Sequence, residues 1–265
     1  MDQWRKKGGE RSSFVGAFKY MSQKYTVSLK DLLEAGCHFG HQARRWNPKM
    51  HKYIYIKREG VHIFDLGITA EKLAEAMEYV RDLVSQRKQV IFVGTKRQAA
   101  AIVKEEAERA GAPYVSVRWL GGTMTNWEQV NKSIKKLADY TEKKAAGEFK
   151  KYTKKENILI DRDINRLERF LGGLKDIKDV PAAVFVIDVK KEHAVIKEAK
   201  MKGVTVIGVV DTNSDPDGVD YVIPVNDDAV SSIKLVVAKM AEAYADGKAL
   251  QGKVKLREDK KEKKE

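Results

Sequence analysis

Apolar residues along the chain alternate between two periods. From Thr69 to about Arg87, Leu73, Met77, Val80 and Val84 recur at intervals of 4, 3 and 4, the stripe of an amphipathic helix. Val90-Ile91-Phe92-Val93-Gly94 follows as an unbroken apolar run too short for a helix, the pattern of a strand buried on both faces of a parallel sheet. Thr95 and Gln98 are spaced as a capping box for a helix that ends near Ala110, with Gly111 as its stop. Tyr114–Val117 reads as the next strand. After residue 180 the alternation resumes: strand Ala183–Ile187, helix Lys191–Lys202, strands Val204–Val210 and Tyr221–Ile223, and helix Asp227–Asp246.

Strands alternating with helices predict an α/β fold, a doubly wound and mainly parallel sheet of the flavodoxin or Rossmann type with right-handed crossovers. Ahead of it, Ser28 and Asp31 open a short helix that Gly36 closes, and two short extended pieces, Tyr53–Ile56 and Val61–Phe64, follow a loop. Residues 126–171 interrupt the plan, being dense in Lys and Glu with no strand-like run. Val130, Ile134, Leu137 and Thr141 are spaced 4, 3 and 4, as are Ile160, Ile164, Leu167 and Leu171, and Thr153 with Glu156 forms a capping box between them. The narrow seam predicts an antiparallel coiled-coil hairpin projecting from the sheet domain; two surface helices packed on the sheet are the alternative. The expected organisation is a flexible N-terminal extension over 1–26, an α/β domain over 27–247 interrupted by the hairpin, and a charged, disordered tail over 248–265.

Charge adds a partner class. The formal net charge is +13 over 265 residues, which points to a polyanion, either nucleic acid or an anionic membrane surface. Residues 1–26 hold six Lys or Arg against two acids and residues 248–265 hold eight against four, so the ends carry +8 and leave +5 on the folded middle. The middle therefore has to argue through particular residues. Cys37 is the sole cysteine, which excludes an internal disulfide and fits a reducing compartment. The start has no long apolar stretch of the secretory kind, and no run reaches the roughly 18 residues of a membrane span, so a cytoplasmic protein is expected. A transit peptide, or a second start at Met21, is the alternative for the first residues.

Two loops carry candidate chemistry. In Gly36–Met50, Arg44, Arg45 and Lys49 stand among His38, Phe39, His41 and Trp46; such cations neutralise phosphates, and aromatic and guanidinium planes stack on unpaired bases. Packing of Phe39 and Trp46 under the sheet, with solvated charges, is the alternative. The second loop, Arg118 to Trp127, follows a strand; its Gly121-Gly122 pair would let backbone approach a phosphate, and Thr125 or Asn126 would cap the next helix. Lys96 and Arg97 fall on the same strand-end edge, where open α/β sheets bind ligands. Enzymatic motifs fail on these positions. Gly94-Thr95-Lys96 lacks both the earlier Gly and the following Ser or Thr of a phosphate loop, no G-x-G-x-x-G follows any strand, and Asp215–Gly218 reads as a turn. Cys37 and His38, being neighbours, do not face each other as a catalytic pair. Imidazole and carboxylate suit zinc: if the loop folds over the sheet edge, His41 can meet Asp188 and Asp211, with hydrogen-bonded strand-end caps as the alternative.

Six motifs then fall in one order: Gly36-x-His38-Phe39-Gly40-His41, Trp46-Asn47-Pro48-Lys49-Met50, Phe92-Val93-Gly94-Thr95-Lys96-Arg97, Arg118-Trp119-Leu120-Gly121-Gly122-x-x-Thr125-Asn126-Trp127, Leu171-Gly172-Gly173, and Asp211 to Pro216. From about Val27 to Tyr244 the chain resembles the bacterial-type small-subunit ribosomal protein S2 family. The resemblance implies a doubly wound domain with an inserted coiled-coil hairpin, and a structural constituent of the small ribosomal subunit that is not an enzyme. It implies a place on the solvent side between head and body, bound to several helices of small-subunit ribosomal RNA and to neighbouring proteins, ribosomal protein S1 among them in many bacteria. No cofactor, membrane, small-molecule substrate or homo-oligomer is implied. The RNA-facing positions it suggests are Arg44, Arg45, Trp46, Asn47 and Lys49, then Lys96 and Arg97, then Arg118, Thr125 and Asn126. The segment before about Ser22 and the Lys/Glu tail depart from the family pattern. A phosphate- or nucleotide-binding enzyme on the same fold is the alternative, since a fold does not dictate its function.

Overall fold

In the computed structural model, which describes residues 25–262 and side chains through Gln251, helix α1 (Leu29–Glu34) opens where Ser28 accepts a hydrogen bond from the Asp31 N–H. All of the expected N-terminal extension but its last two residues lies outside the described residues. A small antiparallel sheet follows, β1 (Phe39–Gln42), β2 (Ile54–Arg58) and β3 (Val61–Phe64), in the order β1-β3-β2. The pattern anticipated the last two strands and missed β1. Its sequence has no apolar alternation, and it is extended because it pairs with β3 and is pinned to a distant loop.

Asp65 caps α2 (Leu66–Ser85) by accepting from the Gly67 and Ile68 N–H groups, so the helix begins three residues before the apolar stripe does. The parallel sheet then unfolds in sequence: β4 (Val90–Val93), α3 (Ala100–Ala110), β5 (Tyr114–Val115), α4 (Trp127–Ala145), α5 (Lys154–Leu171), β6 (Ala183–Ile187), α6 (His193–Lys202), β7 (Thr205–Val210), β8 (Tyr221–Pro224) and α7 (Val230–Glu262). Its order is β5-β4-β6-β7-β8, all neighbours parallel. The chain winds one way from β4 to β5 and the other way from β6 to β8, which makes the fold doubly wound and puts the reversal between β4 and β6.

Why apolar runs form these strands is visible in their burial. Val90, Phe92, Ala183, Phe185, Ile207 and Val209 face α2, α3 and α7, while Ile91, Val93, Val184, Val186 and Val206 face the opposite layer with α6 and the roots of α4 and α5. Both faces are covered, so no polar alternation is needed. Each fully buried Phe or Leu contributes roughly 1.5–3 kcal/mol of hydrophobic stabilisation. A third cluster, Met50, Tyr53, Phe64, Val189 and Val210, joins the small sheet to the ends of β6 and β7.

α4 and α5 lie alongside each other with opposite directions, linked by Lys136–Asp163 at 2.6 Å and Lys144–Asp161 at 2.7 Å. Thr153 and Glu156 form the expected capping box. Ile134, Leu137 and Leu171 are buried near the sheet end, whereas Ile158 and Leu159 near the turn are exposed. Two other expectations give way. Thr95 does not cap α3, which starts at Ala100, because its hydroxyl is held by Glu192. The tail expected to be disordered from Lys248 is instead helical to Glu262, consistent with the high helix propensity of Lys and Glu.

Candidate nucleic-acid interface

The carboxyl-terminal edge of the parallel sheet collects most of the residues singled out by sequence. The loop that carries Arg44 and Arg45 is tied to this edge through Thr212: the His41 N–H donates to Thr212 Oγ1 at 2.8 Å and the Asn47 N–H to the Thr212 carbonyl at 2.7 Å. Gly40 makes the close approach possible. A Cβ there would lie 2.5 Å from Thr212 Cγ2 and 3.1 Å from the His62 carbonyl oxygen, so any larger residue would lift the strand off the loop.

His41 lands among carboxylates as anticipated, but as an ion-pairing residue. Its Nδ1 lies 3.0 Å from Asp211 and its Nε2 3.1 Å from Asp228. The hydrogen bond to Asp211 raises its pKa and outweighs desolvation. Asp211 is fully buried and also accepts from the Thr212 N–H and hydroxyl and from the Asp227 N–H. Asp188 is elsewhere engaged, with Lys96 Nζ 3.4 Å away and the Lys191 N–H donating to it. The zinc expectation for His41, Asp188 and Asp211 therefore fails on geometry. Among the described residues no group of three or more His, Cys, Asp or Glu converges as metal ligands, and the carboxylates are met instead by His41 and the Lys96 ammonium.

Lys96 is the largest correction to the expected surface. Its side chain is 13% exposed and pairs with Asp188, with Asp227 at 2.7 Å and with Asp228 at 2.6 Å. Burial alone would lower its pKa, but the hydrogen bonds to Asp227 and Asp228 prevail and hold it above the ordinary lysine value. Asp227 moves the other way: desolvation, with repulsion from Asp211 and Asp188, raises it to about 7 against the pull of Lys96. Beside this cluster, Thr95 donates to Glu192 at 2.5 Å and Lys191 Nζ donates to the Thr95 carbonyl at 2.9 Å. These groups sit at the reversal between β4 and β6, the crevice where doubly wound sheets bind ligands. Internal charge pairs occupy it.

The Gly-Gly loop is likewise turned inward. Glu198, on α6, accepts from the Trp119 indole at 3.2 Å, the N–H groups of Gly122 (2.8 Å), Met124 (3.0 Å) and Thr125 (3.3 Å), and the Thr125 hydroxyl (3.4 Å). Desolvation would raise its pKa, yet the backbone donors from Met124 and Gly122 hold it below the usual carboxylate value. The amides expected to approach a phosphate already surround this internal anion. Gly122, at φ +92°, supplies the backbone conformation that lets the loop wrap it. Asn126 precedes α4 without a side-chain cap bond, and its side chain is exposed.

The remaining positions divide simply. Lys49 pairs with Asp215 at 3.0 Å and with Asp217, and Asn47 caps the following turn by accepting from the Lys49 N–H. Trp46 is half-buried, its ring 5.0 Å from that of His62, whose pKa desolvation lowers. Arg44, Arg45, Arg97 and Arg118 are exposed and make no ion pair among the described residues; Arg44 donates a hydrogen bond to Gln42 at 2.9 Å. Sequence reading missed Glu192, Glu198, Asp227 and Thr212 as organisers of the edge. One signal was present: Glu198 stands between Val195 and Ala199 on the buried stripe of α6, where a carboxylate needs internal donors.

With this geometry in place, comparison with known proteins gives one result. The family described as Ribosomal protein S2 matches residues 32–247.

Proposed function

This chain belongs to the ribosomal protein S2 family, whose members are structural proteins of the small ribosomal subunit and not enzymes, and from that premise we propose how it binds there. The exposed arginines Arg44, Arg45, Arg97 and Arg118 contact phosphates of small-subunit ribosomal RNA on the solvent side, between head and body. Thr125 and Asn126, exposed at the far end of the loop that Arg118 opens, add neutral hydrogen bonds. Trp46, Asn47 and Lys96 position this surface from within, and Lys49 does so at the surface through Asp215 and Asp217. The observation that carries the reading is a contrast among the singled-out cations of one edge: Lys49 and Lys96 are consumed by carboxylates, while the four arginines make no ion pair among the described residues. Arg suits phosphate by its planar fork and weak hydration.

The α4–α5 hairpin, as a projecting antiparallel coiled coil, serves neighbouring ribosomal proteins. Tyr152, Ile158 and Leu159, exposed near its turn, fit docking of ribosomal protein S1 in a bacterial-type cytoplasmic ribosome. The reading requires no metal or cofactor. A nucleotide-dependent enzyme is disfavoured because the switch-point crevice is filled by Lys96, Asp188, Thr95 and Glu192.

The test is sedimentation of lysate with the wild-type chain and with Arg44→Ala/Arg45→Ala/Arg118→Ala. Wild type should co-sediment with small subunits, and the variant should bind with a shallower salt dependence, by about 0.9 in log–log slope for each phosphate no longer neutralised. An unchanged slope would sink the arginine assignment, and a wild-type chain found only among free proteins would sink RNA binding itself.

A further inference from the structure

Beyond the arginine edge, α6 presents a second charged surface. His193, Lys197 and Lys200 recur at intervals of 4 and 3 and line one side of an open cavity of about 420 Å³, with Lys190 just before the helix. Val189 and Ile196 provide apolar lining, and the turn Asp215–Gly218 closes the opposite side. The cavity lies where the chain leaves β6 and β7, on the ligand-binding side of a doubly wound sheet, but beside the crevice that Lys96 fills.

Charge defines what the cavity takes. Lys190, Lys197 and Lys200 are exposed and make no ion pair among the described residues. The carboxylates facing them, Asp215 and Asp217, share one cation, Lys49, and so keep one net negative charge against the three lysines. The lining thus carries an excess of unpaired cations over an apolar patch, with carboxylate oxygens opposite that retain free lone pairs. A volume of this size is at the small end of small-molecule sites, roughly 300–1,000 Å³, and holds one nucleotide. A duplex presents convex phosphate rows and would span the mouth without filling it. An unstacked nucleotide matches each part: phosphates toward the lysines, a base face on the half-buried Ile196, and base amino groups toward Asp215 and Asp217.

We propose that this cavity receives a single unpaired nucleotide of the small-subunit RNA, held by Lys190, Lys197 and Lys200. The assignment rests on the RNA-binding reading above and gives it a point of base contact that the arginine edge lacks. His193, on the same helix face, lies within the lining and contacts the base or sugar.

The experiment reconstitutes the full-length protein with small-subunit RNA, applies ultraviolet crosslinking, and maps nucleotide adducts by mass spectrometry. Wild type should carry an adduct on His193 or Lys197. Lys190→Ala/Lys197→Ala/Lys200→Ala, which removes only exposed and unpaired side chains, should keep its unfolding midpoint and lose that adduct. It should also lower the log–log salt slope by about 2, from about 0.7 for each single-strand phosphate neutralised. Adducts confined to the Arg44–Lys49 loop and Arg118, with an unchanged slope, would overturn the cavity assignment and leave RNA binding intact. Absence of any adduct, with no subunit association, would overturn the RNA reading itself. Free adenosine monophosphate saturating the cavity as tightly as the RNA does would make it a small-molecule site, and a peptide crosslinked to Lys197 would make it a protein contact; either result overturns the proposal.

Discussion

Replacing Glu198 tests whether an internal anion organises the loop from Trp119 to Thr125. Its carboxylate is buried and accepts from the Trp119 indole, three backbone N–H groups and the Thr125 hydroxyl. Hydrogen bonds to charged groups contribute about 1.5–3 kcal/mol each when measured singly, and an orphaned buried donor costs about 1–3 kcal/mol. These terms do not add, because the donors sit in one loop that can relax and admit water to its exposed members. Glu198→Ala leaves at least the Met124 N–H and the Trp119 indole without their acceptor, which gives about 3–5 kcal/mol of destabilisation. Glu198→Gln keeps one acceptor oxygen but turns an amide NH₂ toward either Gly122 and Trp119 or Met124 and Thr125, a donor facing donors, for about 2–4 kcal/mol. Urea unfolding followed by tryptophan fluorescence reads this directly, since Trp119 is in the loop. The pH dependence has a fixed sign. The folded pKa of Glu198 lies below its unfolded value, so its contribution is complete above the ordinary carboxylate pKa and is lost as pH falls through the depressed one. A Glu198→Gln midpoint equal to wild type at pH 7 would refute the anion-cage account, as would a loss that stayed constant down to about pH 3.

Lys96→Met should destabilise by about 3–5 kcal/mol, because it leaves the buried Asp227 and the partly buried Asp188 without their cation; adding Asp227→Asn should recover part of that in a denaturant-based double-mutant cycle. Gly40→Ala should cost about 1–3 kcal/mol by overpacking against Thr212 and should raise amide exchange at His41 and Asn47, whose N–H groups bond to that residue. Two raised pKa values set the neutral-pH behaviour of the edge: the contribution of His41 is complete below its unfolded pKa and is lost as pH rises through its raised value, and protonated Asp227 favours the fold until pH passes about 7. Amide exchange in residues 39–47 should therefore accelerate as pH rises through neutrality beyond its intrinsic dependence, and His41→Asn should remove the His41 share of that step.

The sheet was legible because its strands are buried on both faces. Uninterrupted runs such as Val90–Val93 and Ala183–Ile187 have few other uses in a chain that also shows helical stripes between them. β1 was not legible, since Phe39-Gly40-His41-Gln42 owes its conformation to partners far along the chain. The candidate site was legible in place and not in direction. Sequence put Lys96, Arg118 and the Gly-Gly pair on one strand-end edge, but which cations face water depends on where Asp188, Asp227 and Asp228 arrive, and these come from other strands. Glu198 shows the same limit from the other side. Its position on a buried stripe signals a need for donors, and nothing local says that the donors belong to a loop 73 to 79 residues earlier.

Those internal pairs bear on function through geometry more than through stability. A buried ion pair is often no more stabilising than a packed apolar replacement, so the Lys96 cluster and the Glu198 cage are poorly explained as stability devices alone. They lie at the ends of β4, β5, β6 and β7, the loops that in a doubly wound enzyme would hold a ligand. Here the same positions hold side chains of the chain itself: Lys96 replaces an incoming cation, and the Glu198 carboxylate replaces an incoming anion in a cradle of amides. Each network fixes a loop by several bonds of defined direction, and Arg97 and Arg118 stand immediately beside residues so fixed. Phosphate contacts position a protein on its RNA only when the cations are held in register. A filled crevice flanked by unpaired arginines suits the proposed RNA contacts, since it holds those arginines on a rigid mount, and on that proposal Glu198→Gln should weaken subunit association by an amount that survives correction for the fraction unfolded. If the corrected affinity equals that of wild type, the cage serves folding alone and the mount lies elsewhere.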